Sequence, residues 1–173
     1  DAELAKYTEQ AWSKLLGSDN RPKVYVTTPY GSVRKGLDAL AAVAPDAVHV
    51  DLSPWTLDAD ADYPSRVAAA FAGKNTTLVA GLIDGRNVWA ANLRDKVEVL
   101  NKLGATSVST STSLQHVPHT LNAERNLPVE VAPWLSFADE KIEEIKALVA
   151  GESEAPEAFG RSDRAARTRA EST

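Results

Sequence analysis

Apolar residues recur along this chain in two registers. Short, nearly continuous runs of β-branched or small residues, bounded by polar or glycine-containing turns, lie at Lys23–Thr28 (KVYVTT), Ala47–Leu52 (AVHVDL), Thr77–Leu82 (TLVAGL) and Thr106–Thr110 (TSVST). Runs of this length and composition predict strands buried on both faces. Between them the apolar positions fall three or four apart: Val33, Leu37, Leu40, Ala41 and Ala44, then Val67, Ala70 and Phe71, then Leu93, Val97, Leu100 and Leu103. That spacing predicts helices with one apolar stripe each. Pro133–Ala150 carries Leu135, Ala138, Ile142, Ile145 and Leu148 and predicts a last helix stopped at Gly151. The amphipathic opening, DAELAKYTEQAW, predicts a helix ahead of the first strand.

Strands that alternate with helices at a period of roughly 25 to 30 residues predict βα units on a parallel sheet, because parallel neighbours need a crossover. Four such units fit either a small doubly wound sheet or one half of an eight-stranded (β/α)8 TIM-type barrel, and periodicity leaves both open. The expected organisation is an α/β half-barrel domain over residues 1–152. Residues 153–173 lose the apolar stripe and gain Arg161, Arg164, Arg167 and Arg169, which predicts a polar tail or interdomain linker, or else a basic helix face.

Composition narrows the partners. The 173 residues include 24 Asp and Glu against 19 Lys and Arg, a net charge of -5, with no overall field to attract nucleic acid. Cysteine is absent, which removes disulfides, thiol nucleophiles and thiolate metal ligands. No apolar run approaches the roughly 20 residues of a membrane span, and the opening is unlike a signal peptide, so a cytoplasmic globule is expected. Methionine is absent too, including at position 1, which leads to the expectation that the chain is a piece of a longer protein.

In parallel α/β sheets function gathers beyond the C-terminal ends of the strands. Those positions hold Thr27, Thr28, Tyr30 and Ser32; Asp51, Ser53 and Trp55; Asp84, Arg86, Asn87 and Trp89; and Thr112, Ser113, Gln115 and His116. Asp51, Asp84, Arg86, Asn87 and His116 are the candidate pocket. Each has a plainer role: Asp51 as an acceptor for loop amides, Asp84 and Arg86 as a local pair with Asn87 capping the next turn, and the 109–113 hydroxyls as turn formers. His116 stands beside Pro118, so a rigid turn competes with acid or base work. His49 alternates with strand residues and is expected inside, and His119 has no evident partner. GSVRKG after the first strand matches neither a Walker loop nor GxGxxG, and no HxH or HExxH spacing suggests a metal.

VYVTTPYGS at 24–32, AVHVDL at 47–52, GLIDGRNVWAANL at 81–93, STSTSLQHVP at 109–118 and WLSFADEKIEEI at 134–145 together resemble the cobalamin-independent methionine synthase family, in the later part of its N-terminal barrel. The resemblance implies half of a TIM-type barrel and a two-barrel parent. In that parent, zinc in the C-terminal barrel activates homocysteine for methyl transfer from methyltetrahydrofolate polyglutamate. It further implies that Thr27, Pro29, Asp51 and Thr112 occupy vestigial zinc-site positions, so that this part has neither metal nor catalytic residues of its own. Its implied partners are the catalytic barrel and the remainder of its own barrel. The family's basic contacts to the folate tail belong to an earlier stretch. A self-contained α/β enzyme at the strand-end mouth, an interaction module, and a homodimer that covers the open half are the competing expectations.

Overall fold

The computed structural model describes residues 2–172. A first helix, α1 (Ala2–Leu16), lies on α2 and leads to four βα units: β1 (Tyr25–Thr28) and α2 (Gly36–Val43); β2 (Ala47–Asp51), followed by α3 (Pro54–Ala59) and α4 (Tyr63–Phe71); β3 (Thr77–Ile83) and α5 (Leu93–Leu103); β4 (Ser107–Thr110) and α6 (Ala138–Ala150). A seventh helix, α7 (Pro156–Glu171), closes the described chain. Among these residues no helix is long and apolar enough to cross a membrane.

The sheet runs β1-β2-β3-β4 with every pair parallel. Strand order never reverses, so right-handed crossovers place all the helices on one face. A doubly wound sheet needs a reversal to put helices on both faces. The chain is therefore the half-barrel arrangement, and the doubly wound alternative does not hold.

Period-two alternation then sorts the strand residues. Val26, Val48, Val50, Leu52, Ala80 and Leu82 are buried with Leu37, Leu40, Val67, Phe71, Leu93, Leu103 and Leu148 from the helices, each large side chain contributing about 1.5–3 kcal/mol. The register shift between Gly81 and Ile83 adds a residue to β3, and Ile83 joins Leu82 in this core. The opposite face carries Tyr25, Thr27, His49, Val79, Ser107 and Ser109, and Tyr25 is 51% exposed. The open face is therefore not apolar: the even-numbered valines and Leu78 turn to the helices, and hydroxyls, an imidazole and a phenol, with Val79, hold the other side.

Several boundaries differ from the pattern for local reasons. β1 begins at Tyr25 because Val24 N–H donates to the Asp46 carboxylate, which Arg21 also grips. The helix between β2 and β3 is split at Asp60, and Pro54 and Pro64 each stand in the first turn of a piece. The last predicted helix starts at Ala138; Pro133 lies instead in a 3-10 turn at Ala132–Trp134, and Leu135 bridges to Trp89. On α6 the inward position belongs to Lys141, 1% exposed, while Ile142 is 43% exposed.

The Arg-containing end is a helix docked on the domain. Phe159, Ser162 and Ala165 recur every three residues and are buried, and Ser162 Oγ both donates to Ala91 O and accepts from Leu93 N–H, each at 2.8 Å. Two of its three inward residues are small or polar, so the segment has an inward stripe without reading as apolar.

Candidate functional site

The strand-end mouth is organised by Asp51. The last residue of β2, fully buried, it accepts from Gly31 N–H (2.9 Å) at one carboxylate oxygen and from Ser53 N–H (2.8 Å) at the other. These contacts tie down the loop after β1, where Tyr30 and Gly31 take positive φ of 66° and 123°. Tyr63 supports the same loop from α4: its buried hydroxyl accepts from Val33 N–H, and burial pushes its phenol up to about 12. Asp51 is thus a loop-shaping carboxylate with both oxygens in use.

That loop aims Tyr30 across the mouth. Its hydroxyl lies 2.7 Å from His116 Nε2, with the rings edge to face at 5.9 Å. The Arg86 guanidinium stands 6.0 Å from both the Tyr30 and Trp55 rings, so four exposed side chains, one from the segment after each strand, come near one another. The expected Asp84–Arg86 side-chain pair does not form. Asp84 turns inward and accepts from Arg86 backbone N–H (2.8 Å) and from Asn87 Nδ2 (2.6 Å), while Asn87 Oδ1 accepts from Trp89 N–H (3.0 Å). Asp84→Ala should therefore cost about 1–3 kcal/mol, and Arg86→Ala less than about 1 kcal/mol. Urea melts of the two variants give the comparison, and equal losses would show that the guanidinium is as structural as the carboxylate.

Thr27 is exposed on the open face, Pro29 is exposed in the first loop, and Thr112 is buried against Gly85 with its hydroxyl unpaired. Together with Asp51 they offer one carboxylate, already taken by amides. Zinc needs three or four nitrogen, sulfur or carboxylate ligands, so these four positions do not fit it. Among the described residues no group of three or more His, Cys, Asp or Glu could hold a metal.

His49 lies inside, as its place in the strand suggests. Nε2 donates to Thr110 O at 2.9 Å across Gly81, which leaves the buried Nδ1 without a partner. Burial holds the imidazole below its ordinary 6.5, against the opposing pull of the Thr110 carbonyl and Asp51. As pH falls through 6.5 the unfolded chain takes up a proton that folded His49 resists, so stability is lost from 6.5 down toward the lowered folded value. In His49→Gln the fall in urea midpoint across that window should be shallower than in the wild type. An identical slope would assign the acid sensitivity to other groups. His119, expected to be unpartnered, sits 3.5 Å from the Asp139 carboxylate at the surface.

Sequence reasoning missed a buried ionic group behind the mouth. Lys141 Nζ donates to Trp89 O (3.2 Å) and Glu144 Oε1 accepts from Ala91 N–H (3.0 Å), so α6 holds the loop after β3 by its backbone. Burial lowers Lys141 and Lys96, with Glu144 and Asp84 opposing it at both and Asp95 also at Lys96. It raises Glu144, against the pull of Ala91 N–H, Lys141, Ser136 and Lys96. The sequence signal was available: Lys96 lies three after Leu93, and Lys141 three after Ala138, on the apolar stripes themselves.

Comparison with known proteins places these features in a family. The family described as "Cobalamin-independent synthase, N-terminal domain" matches residues 1–108. The chain is 38% identical over 144 residues, 81% of its length, to the "5-methyltetrahydropteroyltriglutamate–homocysteine methyltransferase" of Mycobacterium bovis, of which it covers 18%. The proteins of the same name from Corynebacterium glutamicum and Rhodococcus jostii are 41% identical over 74% of the chain and 32% identical over 93% of it, with 16% and 21% of their own lengths covered. The chain thus spans about a fifth of the length of these relatives. Since the family match takes in more than half of its residues, the chain belongs to the N-terminal domain family of the cobalamin-independent synthases.

Proposed function

We propose that this chain is the second half of the non-catalytic N-terminal barrel of a cobalamin-independent methionine synthase, a cytoplasmic enzyme of methionine biosynthesis. In this reading zinc and the transfer of methyl from methyltetrahydrofolate polyglutamate to homocysteine belong to the parent's C-terminal barrel, and this half contributes support and shape. The observation that carries it is the state of the strand ends. Thr27, Pro29 and Thr112 offer no zinc donor of the kind the chemistry needs, and the one carboxylate, Asp51, spends both oxygens on Gly31 and Ser53 amides. The exposed β1 and β4 edges and the half-exposed open face are surfaces that the remaining strands of a closed barrel would cover. In the isolated chain a second copy is the substitute cover, and sedimentation reads that directly.

The test is methyl transfer from methyltetrahydropteroyltriglutamate to homocysteine with added zinc, run on this chain and on its parent, with metal analysis after dialysis. The expected result is turnover by the parent alone and no stoichiometric zinc on the chain. One retained zinc per chain, or turnover by the chain itself, would overturn the reading in favour of a self-contained enzyme.

A further inference from the structure

A second concave space lies on the helical side of the domain, apart from the strand-end mouth. It is a cavity of about 560 Å³ between the loop after β3, the 132–136 turn, α6 and α7. Ala90, Ala91, Leu93, Leu121, Leu135 and Ala165 give it mainly apolar walls, and its size falls within the range of small-molecule sites.

Its charged groups are divided between two walls. On the α6 side stand Glu140, Glu143 and Glu144. Glu140 is committed to Thr120, Leu121 and Phe137, and Glu143 to Lys146. Glu144 uses only Oε1; its Oε2 is buried without a hydrogen-bond partner, as is Oγ of neighbouring Ser136, which is 1% exposed. Ser136 stands close enough to favour the ionised carboxylate, yet no properly directed bond completes either atom. Buried polar atoms in native proteins almost always have partners, so these two unmet groups in a cavity wall point to a polar occupant. On the α7 side Arg161 and Arg164 line the same cavity, and neither makes an ion pair among the described residues.

We infer that this cavity binds a small zwitterion with an apolar body, an amino acid or dipeptide with an aliphatic side chain. Its ammonium meets Glu144 Oε2 and Ser136 Oγ, its carboxylate meets Arg161 and Arg164, and its hydrocarbon lies on the alanine and leucine walls. An ammonium alone would be repelled by the two arginines, and a carboxylate alone would leave Glu144 unmatched. An uncharged apolar ligand would bury Glu144 and Ser136 unpaired, at a cost that argues against it. The inference concerns this chain's own cavity and stands whether or not the parent's activity is as proposed.

The test is titration of the 173-residue chain with L-leucine and L-methionine, read by amide chemical shifts and by calorimetry. Saturable shifts at Ala90, Ala91, Ser136 and Ala165 are expected. N-acetyl-L-leucine and leucinol, each lacking one charge, should bind about tenfold or more weakly, as should the Glu144→Gln and Arg161→Ala/Arg164→Ala variants. The arginine pair is exposed, so its replacement leaves the fold intact even where Glu144→Gln disturbs it. No saturation at millimolar amino acid, or binding indifferent to loss of either ligand charge or of both arginines, would overturn the proposal.

Discussion

Phe159→Ala is expected to lower the free energy of unfolding by about 3–5 kcal/mol, with an unchanged dependence on urea concentration. The ring is 1% exposed, belongs to the main core, and is the large apolar residue that α7 buries. The other attachments of that helix are weak substitutes. Arg94 reaches Glu152 and Asp163, but all three side chains are well exposed, and ion pairs in water contribute little. Trp134 Nε1 donates to Thr168 Oγ1 near the far end of α7, also at the surface. With the ring gone, nothing of comparable size fills its place between α5 and α6. A loss below about 1 kcal/mol would mean that the surface network holds α7 and that its inward residues are incidental.

Gly81→Ala should be similarly damaging, at about 3 kcal/mol or more, although it adds a single methyl. A Cβ at this central strand position would lie 2.4 Å from His49 Nε2, 2.7 Å from Val50 O and 3.0 Å from Ser111 Cα. Two of those three obstacles are backbone, so rotation of a side chain cannot relieve them. The imidazole would also have to surrender its bond to Thr110 O. Adding His49→Ala to Gly81→Ala removes one obstacle and should restore part of the loss while Val50 O keeps the rest in place. Full recovery in the double variant would show the strands free to separate, and the crowding confined to the ring. Thermal melts of the three proteins are sufficient.

The fold was largely readable in the sequence because its determinants are local. Strand runs such as AVHVDL are flanked by breaks in periodicity, and the stripe from Leu93 to Leu103 stops at Gly104, whose φ of 68° ends α5. The choice between half-barrel and doubly wound sheet was not readable, since strand order is a property of pairing and not of any segment. Which strand face the helices cover was not readable for a related reason: in YVT and HVD both kinds of residue alternate, and only knowledge of where the helices lie says which kind is inside. The strand-end rule listed Tyr30, Trp55, Arg86 and His116, whose side chains the structure brings near one another. It could not foresee that Tyr30 would reach His116 across 86 residues, or that Asp84 would prefer a backbone amide to the guanidinium two residues on. The buried face of α7 escaped notice because the polar composition of that late segment hides it.

That late helix has a consequence for the order in which the molecule is assembled on the ribosome. Domains form from the N-terminus as they emerge, and each βα unit here can pair with the one before it as soon as its own residues are out. The start of α5 is an exception. Leu93 N–H and Ala91 O complete their hydrogen bonds only with Ser162, which is 69 and 71 residues further along the chain. Until then the nascent sheet carries its third crossover with an unsealed shoulder, in which Leu93 and Phe159's future neighbours stand open to water. Nascent-chain lengths that end before α7 should therefore be the ones most readily captured by chaperones or nicked within residues 84–93, and release of the last helix from the exit tunnel marks the moment at which the domain becomes protease-resistant.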